Sequence, residues 1–212
     1  MSTKPVHHPI FARGYARMAA EAEPKGASEH RDELLAGLSG RVIEVGAGTG
    51  LNFNHYPQAV SEVIAVEPEP YLRQQAAKAA EHATLAVRVV NGTAEALPAR
   101  DGEFDAGVAS LVLCSVTEQR TALGELFRVL RPGGELRFYE HMRSPRPGFA
   151  RTQRALDLVW PFFGGGCHTS RQTTNAIEAA GFAIEHVRNF TFRPCLIAAP
   201  VSPHVIGAAR RP

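Results

Sequence analysis

Residues 41–53, RVIEVGAGTGLNF, constrain the fold of this chain more than any other stretch. The apolar run at 42–45 breaks into a turn that holds Gly46, Gly48 and Gly50, so a buried strand is followed at once by a backbone free of side chains. Further apolar runs follow at 63–66, 86–90, 104–109 and 135–139, and helical stretches at 71–83 and 117–130 separate them. This alternation predicts an α/β fold with a mostly parallel, doubly wound sheet. After Tyr139 the rhythm changes: a segment at 149–163, a turn GGGCHTS, a helix reaching Ala180, then two strand-like segments, FAIEHVRNFTF and HVIGAARR, that read as a terminal pair. RPGG at 131–134 reads locally as a helix stop and turn. Ahead of the first strand, 13–20 has helical propensity, and SEHRDELLAGLSG reads as a helix capped by Ser28 and stopped by Gly40.

Composition narrows the partners. With 212 residues and 44% hydrophobic content, one well-filled core is expected. The net charge of +2 comes from interspersed charges, which disfavours nucleic acid. Cys114, Cys167 and Cys195 show no zinc-like spacing, and their odd number suits a reducing compartment. No run approaches the roughly 18 apolar residues of a membrane span, so a cytoplasmic protein without a membrane anchor is expected. No acid and histidine cluster with evident metal spacing is visible, and no metal is expected.

The glycine loop sits where an open α/β sheet binds its ligands. A dinucleotide loop places its third glycine at the position of Leu51, and a phosphate loop needs a lysine that GTGLN lacks. Glu44, two residues before the first glycine, would repel a pyrophosphate and suit a cation. A ligand with an ammonium, a sulfonium and no phosphate is S-adenosylmethionine. Glu67, at the end of the next strand, can accept both ribose hydroxyls.

In order along the chain, VIEVGAGTG, VIAVEPEP, VVNGTAEALP, EFDAGVAS and LFRVLRPGGELRFYEH resemble the successive motifs of the class I S-adenosylmethionine-dependent methyltransferases. The resemblance implies a Rossmann-like domain at 41–212 with a mostly parallel seven-stranded sheet, a terminal antiparallel strand, and helices at 1–40 that act as a lid on the substrate side. It implies a cofactor site in which Val45, Gly46, Ala47, Gly48, Gly50 and Asn52 form the loop and Glu44 holds the ammonium. Glu67 takes the ribose, Pro68 and Tyr71 lie beside the adenosine, Thr93 and Ala94 contact adenine, and Ser110 and Leu111 close over the methionine end. S-adenosylhomocysteine would be the product.

A narrower set, ASLVLCSV, RVLRPGGELRFYEH, GGGCHTSRQT and PHVIGA, is similar to the mammalian alkyl-thiol methyltransferases and their bacterial relatives. That resemblance implies a small, fairly apolar acceptor, with thiol sulfur leading. The mammalian proteins carry an apolar N-terminal anchor, which this sequence lacks, so membrane attachment is not carried over. Carbon or nitrogen methylation of a quinone or aminolipid is the rival reading, and a non-catalytic S-adenosylmethionine-binding protein is the reading from another class.

Methyl transfer is an in-line displacement at an activated carbon and asks chiefly for alignment in a dry pocket. A thiol with pKa near 8.5 needs only a nearby histidine or cation. The acceptor-side candidates are His141, at the carboxyl end of the fifth strand; Glu140, which orients it or caps the strand; and Cys114. His168 and Arg171 in the glycine-rich turn, and Tyr15 in the first helix, complete the set.

Overall fold

The structure is a computed structural model that describes residues 9–212. Residues 1–8 of the expected N-terminal helical unit lie outside the described residues. Seven strands are formed: β1 (Gly40–Val45), β2 (Val60–Val66), β3 (Val87–Val90), β4 (Phe104–Ser110), β5 (Leu130–His141), β6 (Ala183–Thr191) and β7 (Pro203–Arg210). They make one sheet in the order β3-β2-β1-β4-β5-β7-β6. β1 through β5 pair in parallel, whereas β7 runs antiparallel to both its neighbours. The chain reverses direction across the sheet between β1 and β4, and the crevice at their carboxyl ends is the ligand position of such sheets.

The strands are apolar on both sides because both faces are covered. Ile43, Val45, Ile64 and Val66 pack into one core with Leu123 and Leu126 of α4 (Gln119–Val129) and Ile177 of α7 (Thr173–Ala179). Val42, Val63 and Ala65 point to the other face, against Leu34 and Leu35 of α2 (Ala27–Leu35) and Ala76 of α3 (Pro70–Ala80). The period of two along each strand therefore divides the interior into two cores. The remaining helices are α1 (Pro9–Ala22), α5 (Pro147–Leu156) and α6 (Trp160–Phe163). Among the described residues no helix is long and apolar enough to cross a membrane.

Three local readings of the sequence are corrected. α2 starts after Gly26, which takes φ 113°, and Ser28 lies inside the helix rather than capping it. The helix ends at Leu35 because Ala36 turns extended, and Gly40 opens β1 instead. RPGG does not leave the sheet: it forms an irregularity within β5, with a register shift between Phe104 and Ala106 on the facing strand. Gly133 there has φ 73° and donates its N–H to Arg211 O at 2.8 Å, so the turn chemistry is spent on a bulge tied to the chain beyond β7. The expected terminal pair forms as β6 and β7, and the chain-terminal antiparallel strand β7 lies between β5 and β6.

Candidate active site

The site is built first from the β1 turn. Gly46 has φ 68°, and a Cβ there would stand 2.5 Å from Val112 Cγ2, so no other residue fits without moving the loop after β4. Tyr15 of α1 lies over Gly48, 3.5 Å from where a Cβ would be. Gly50 faces inward instead, against Phe53 and Ala79. Together these elements border a cleft of about 810 Å³ along the carboxyl ends of the strands.

At one end of the cleft Glu44 is buried. Its Oε1 accepts from Asn52 Nδ2 at 2.7 Å and its Oε2 from Tyr56 OH at 2.9 Å. Burial pushes its pKa up to about 7 against the opposing pull of these two donors. Asn52 Oδ1 in turn accepts from Arg31 at 2.7 Å, and Arg31 Nε pairs with Glu23 at 3.0 Å. Arg31, Tyr15, Gly46, Ala47, Asn52 and Ser110 border the small recess beside Glu44. An acid and a guanidinium thus meet at one point, where an amino acid's ammonium and carboxylate both find a partner.

Further along, Glu67 Oε2 accepts the Gly48 N–H at 2.8 Å and Oε1 the Glu69 N–H at 2.9 Å. Each oxygen keeps a second lone pair for a hydroxyl. Burial raises this carboxyl also to about 7, with the two N–H groups pulling down. Val45, Pro68, Thr93, Ala94 and Leu111 line the same cleft. Thr93 Oγ1 is buried and has no hydrogen-bond partner among the described residues, an orphan that a nucleobase amine would satisfy. Leu111 takes φ 56°, the one positive value of a non-glycine residue among those described, with its N–H on Tyr139 O at 2.7 Å. Tyr71 is not among the lining residues; its ring carries the Arg13 guanidinium 5.6 Å above it.

The opposite wall carries the acceptor-side candidates of the sequence. His141 and Cys167 line it, as do Trp160, Phe163, Ile197 and His204. His204 packs edge-on against His141 with ring centroids 4.7 Å apart, and its Nδ1 donates to Ser202 O at 2.8 Å. Burial, followed by the neighbouring His141, lowers its pKa to about 3, so it stands as a neutral ring.

Cys114 and Cys167 place their Sγ atoms each 3.4 Å from His141 Nδ1. The hydrogen bond with Cys167 and then burial push the Cys114 thiol up to about 12. The cysteines show no zinc-like spacing along the chain, yet three separate elements bring Cys114, His141 and Cys167 together.

Glu140 and Arg171 are placed as braces of this wall. Glu140 is fully buried and accepts the N–H groups of Val112 at 3.0 Å, Leu113 at 2.8 Å and Cys114 at 3.0 Å. Arg171 donates to Leu113 O at 2.5 Å and Val116 O at 2.6 Å. The backbone of His168 donates to Cys114 O at 2.8 Å, and neither it nor Arg171 is among the residues lining the cleft.

Sequence reasoning passed over Arg31, Cys167 and His204. Arg31 had a readable signal: it shares the stripe Ala27, Leu34 and Leu35 that α2 buries, an odd place for a cation without a partner. Cys167 and His204 lie in the quoted stretches GGGCHTS and PHVIGA, but nothing in their spacing joins them to His141.

A cleft at the switch point, two buried acids at successive strand ends, a guanidinium beside the first and an orphan hydroxyl at the far end define an S-adenosylmethionine-binding domain. Residues 43–138 match the family described as a methyltransferase domain. The Homo sapiens thiol S-methyltransferase TMT1B is 37% identical over 181 residues, which cover 82% of this chain and 73% of that protein. A demethylmenaquinone methyltransferase of Thermus thermophilus is 35% identical over 130 residues, 59% of this chain and 58% of its own. Among solved structures, a geranyl diphosphate methyltransferase in complex with S-adenosylmethionine superposes with a TM-score of 0.70 at 17% identity, covering 93% of this chain and 90% of that one. The chain belongs to the class I S-adenosylmethionine-dependent methyltransferases.

Proposed function

We propose that this protein methylates the sulfur of a small apolar thiol. The observation that carries the reading is the acceptor wall: aromatic and aliphatic side chains enclose it, and its polar floor is formed by His141 and Cys167. Such a wall desolvates an apolar acceptor and leaves no charged group to bind a phosphate or carboxylate substrate. The similarity to thiol S-methyltransferases over most of the chain supports the same acceptor.

The bound cofactor supplies a methyl group on a positively charged sulfur. The chain's residues do the rest: Glu44 and Arg31 hold the amino-acid end, Glu67 the ribose and Thr93 the adenine. Leu111 and Val112 press on the methyl-bearing region. His141 faces the acceptor and assists loss of the thiol proton. α1 serves as a lid, since Phe11, Tyr15 and Met18 cover the cleft and Phe11 packs on Gly165 of the facing turn.

The test is transfer of labelled methyl to matched thiol, hydroxyl, amine and quinol acceptors, with Glu67→Ala as the cofactor-site control. Transfer confined to thiols and lost in the variant is the expected result. Transfer to a quinol with none to thiols would move the assignment to carbon methylation.

A further inference from the structure

Cys114, His141 and Cys167 come from the loop after β4, the end of β5 and the turn after α6, and their side chains meet at the acceptor wall. The Sγ and Nδ1 atoms all lie within 4.8 Å of one another. We propose that these three residues ligate a borderline-soft divalent cation, zinc being the type, and that its fourth position opens to the cleft to receive the acceptor thiolate. The ligation stands on the geometry of this chain alone; its role in transfer rests on the thiol reading above.

Tetrahedral zinc with sulfur at about 2.3 Å and nitrogen at about 2.0–2.1 Å holds those ligands roughly 3.6 Å apart. Both sulfur–nitrogen separations here are 3.4 Å, within a few tenths of an ångström of that spacing, and the two sulfurs lie within 4.8 Å of each other. Two thiolates and an imidazole select zinc-like ions over magnesium or calcium, which take oxygen ligands. Among the described residues no fourth cysteine, histidine or acid joins the group, which matches a reactive site rather than a closed structural one.

The backbone under the ligands is also fixed. Glu140 grips the N–H of Cys114 and of the two residues before it. The N–H of His168 holds Cys114 O, which ties the Cys167 turn to the Cys114 loop. Gly166, with φ 86°, lets that turn approach Ser115 O, which a Cβ would meet at 2.6 Å. Cys114 lies fully buried behind Cys167 and His141, so the open side faces the cleft.

On such an ion an acceptor thiol releases its proton to solvent and binds as thiolate. A sulfur lone pair then forms the new carbon–sulfur bond as the methyl–sulfonium bond breaks, its electron pair passing to the departing sulfur. The neutral thioether is a poorer ligand and leaves.

The test uses the full chain, reduced, stripped with chelator and titrated with zinc alone or with cobalt(II) as a spectroscopic probe. Expected are one equivalent of zinc per chain after gel filtration and a cobalt spectrum with thiolate charge transfer and intense tetrahedral bands. Cys114→Ser and Cys167→Ser should bind roughly a hundredfold more weakly or worse, and Cys195→Ser as the wild type does. Wild-type retention of less than about a tenth of an equivalent, or equal retention by the two variants, overturns the site. A Cys114–Cys167 disulfide that forms in place of metal binding overturns it too. Metal binding without thiol methylation removes only the functional reading, and thiol methylation at full rate by stripped protein removes only the metal's role.

Discussion

Arg31 and Glu44 approach the same end of the cleft from different elements and are joined through one side chain: Asn52 donates to Glu44 at 2.7 Å and accepts from Arg31 at 2.7 Å. Opposite charges are thereby held apart at a fixed spacing, open to a zwitterion between them. Arg31→Met should weaken S-adenosylmethionine binding about 10–100-fold, the worth of a charge-assisted hydrogen bond to a carboxylate. Methylthioadenosine, which lacks the amino-acid end, should bind Arg31→Met as well as the wild type. Calorimetry with both ligands checks this, and equal losses for the two would show that Arg31 only supports the fold.

Both cofactor-facing acids are raised to about 7 by burial. In the proposed site the ionised forms bind the ammonium and the ribose hydroxyls, so binding should drive deprotonation and affinity should fall as pH drops through 7. Between about pH 8 and pH 6 the loss should be about tenfold for each carboxyl. Near pH 6.5 each should release about three-quarters of a proton on binding, visible as a buffer-dependent enthalpy. Glu44→Gln should remove one such step; a flat wild-type profile from pH 6 to 8 would contradict the assignment.

Thr93→Val should move two quantities in opposite directions. Replacing a buried, unpartnered hydroxyl with a methyl of the same shape stabilises the ligand-free protein by about 1 kcal/mol. Cofactor affinity should drop about 5–10-fold with the lost hydrogen bond. Thermal denaturation with and without cofactor measures both; a destabilised ligand-free variant would mean that the hydroxyl is satisfied in the fold.

Gly166→Ala forces a Cβ to within 2.6 Å of Ser115 O at a φ of 86°. The strain should displace the turn that carries Cys167 and cost about 1–3 kcal/mol of stability. Acceptor kcat/KM should fall by more than about tenfold while cofactor affinity stays within about twofold, because Gly46, Gly48 and Glu67 lie on other elements. Parallel losses of both would show that the turn supports the cofactor side as well.

The strand ends and glycine turn that border the proposed cofactor cleft were legible because each of these parts is local. A buried strand needs a run such as 42–45, a turn without room for side chains needs Gly46 and Gly48, and the acids stand at the strand ends where pattern alone puts them. The acceptor half is not local. His141 meets Cys114 and Cys167 across separations of 27 and 26 residues, and no periodicity encodes such a meeting. Glu140 carried its type in the sequence but not its task, since three backbone donors 26 to 28 residues away decide it. RPGG was half legible for a related reason: the helix does stop at Val129, but the residues punctuate equally well for a turn and for a bulge, and only pairing with β4 and with the chain beyond β7 chooses between them.

The position of β7 gives the molecule an order of assembly. β6 leaves the ribosome first but has no neighbour in the sheet until β7 is threaded between it and β5. Until then the edge of β5 from Glu135 to His141 offers unpaired backbone groups, the kind of edge that chaperones and other nascent chains engage. The cofactor loop and its acids, all upstream, belong to a part of the sheet that pairs earlier. A nascent chain therefore completes the elements proposed to hold the methyl donor before it completes the wall proposed to select the acceptor.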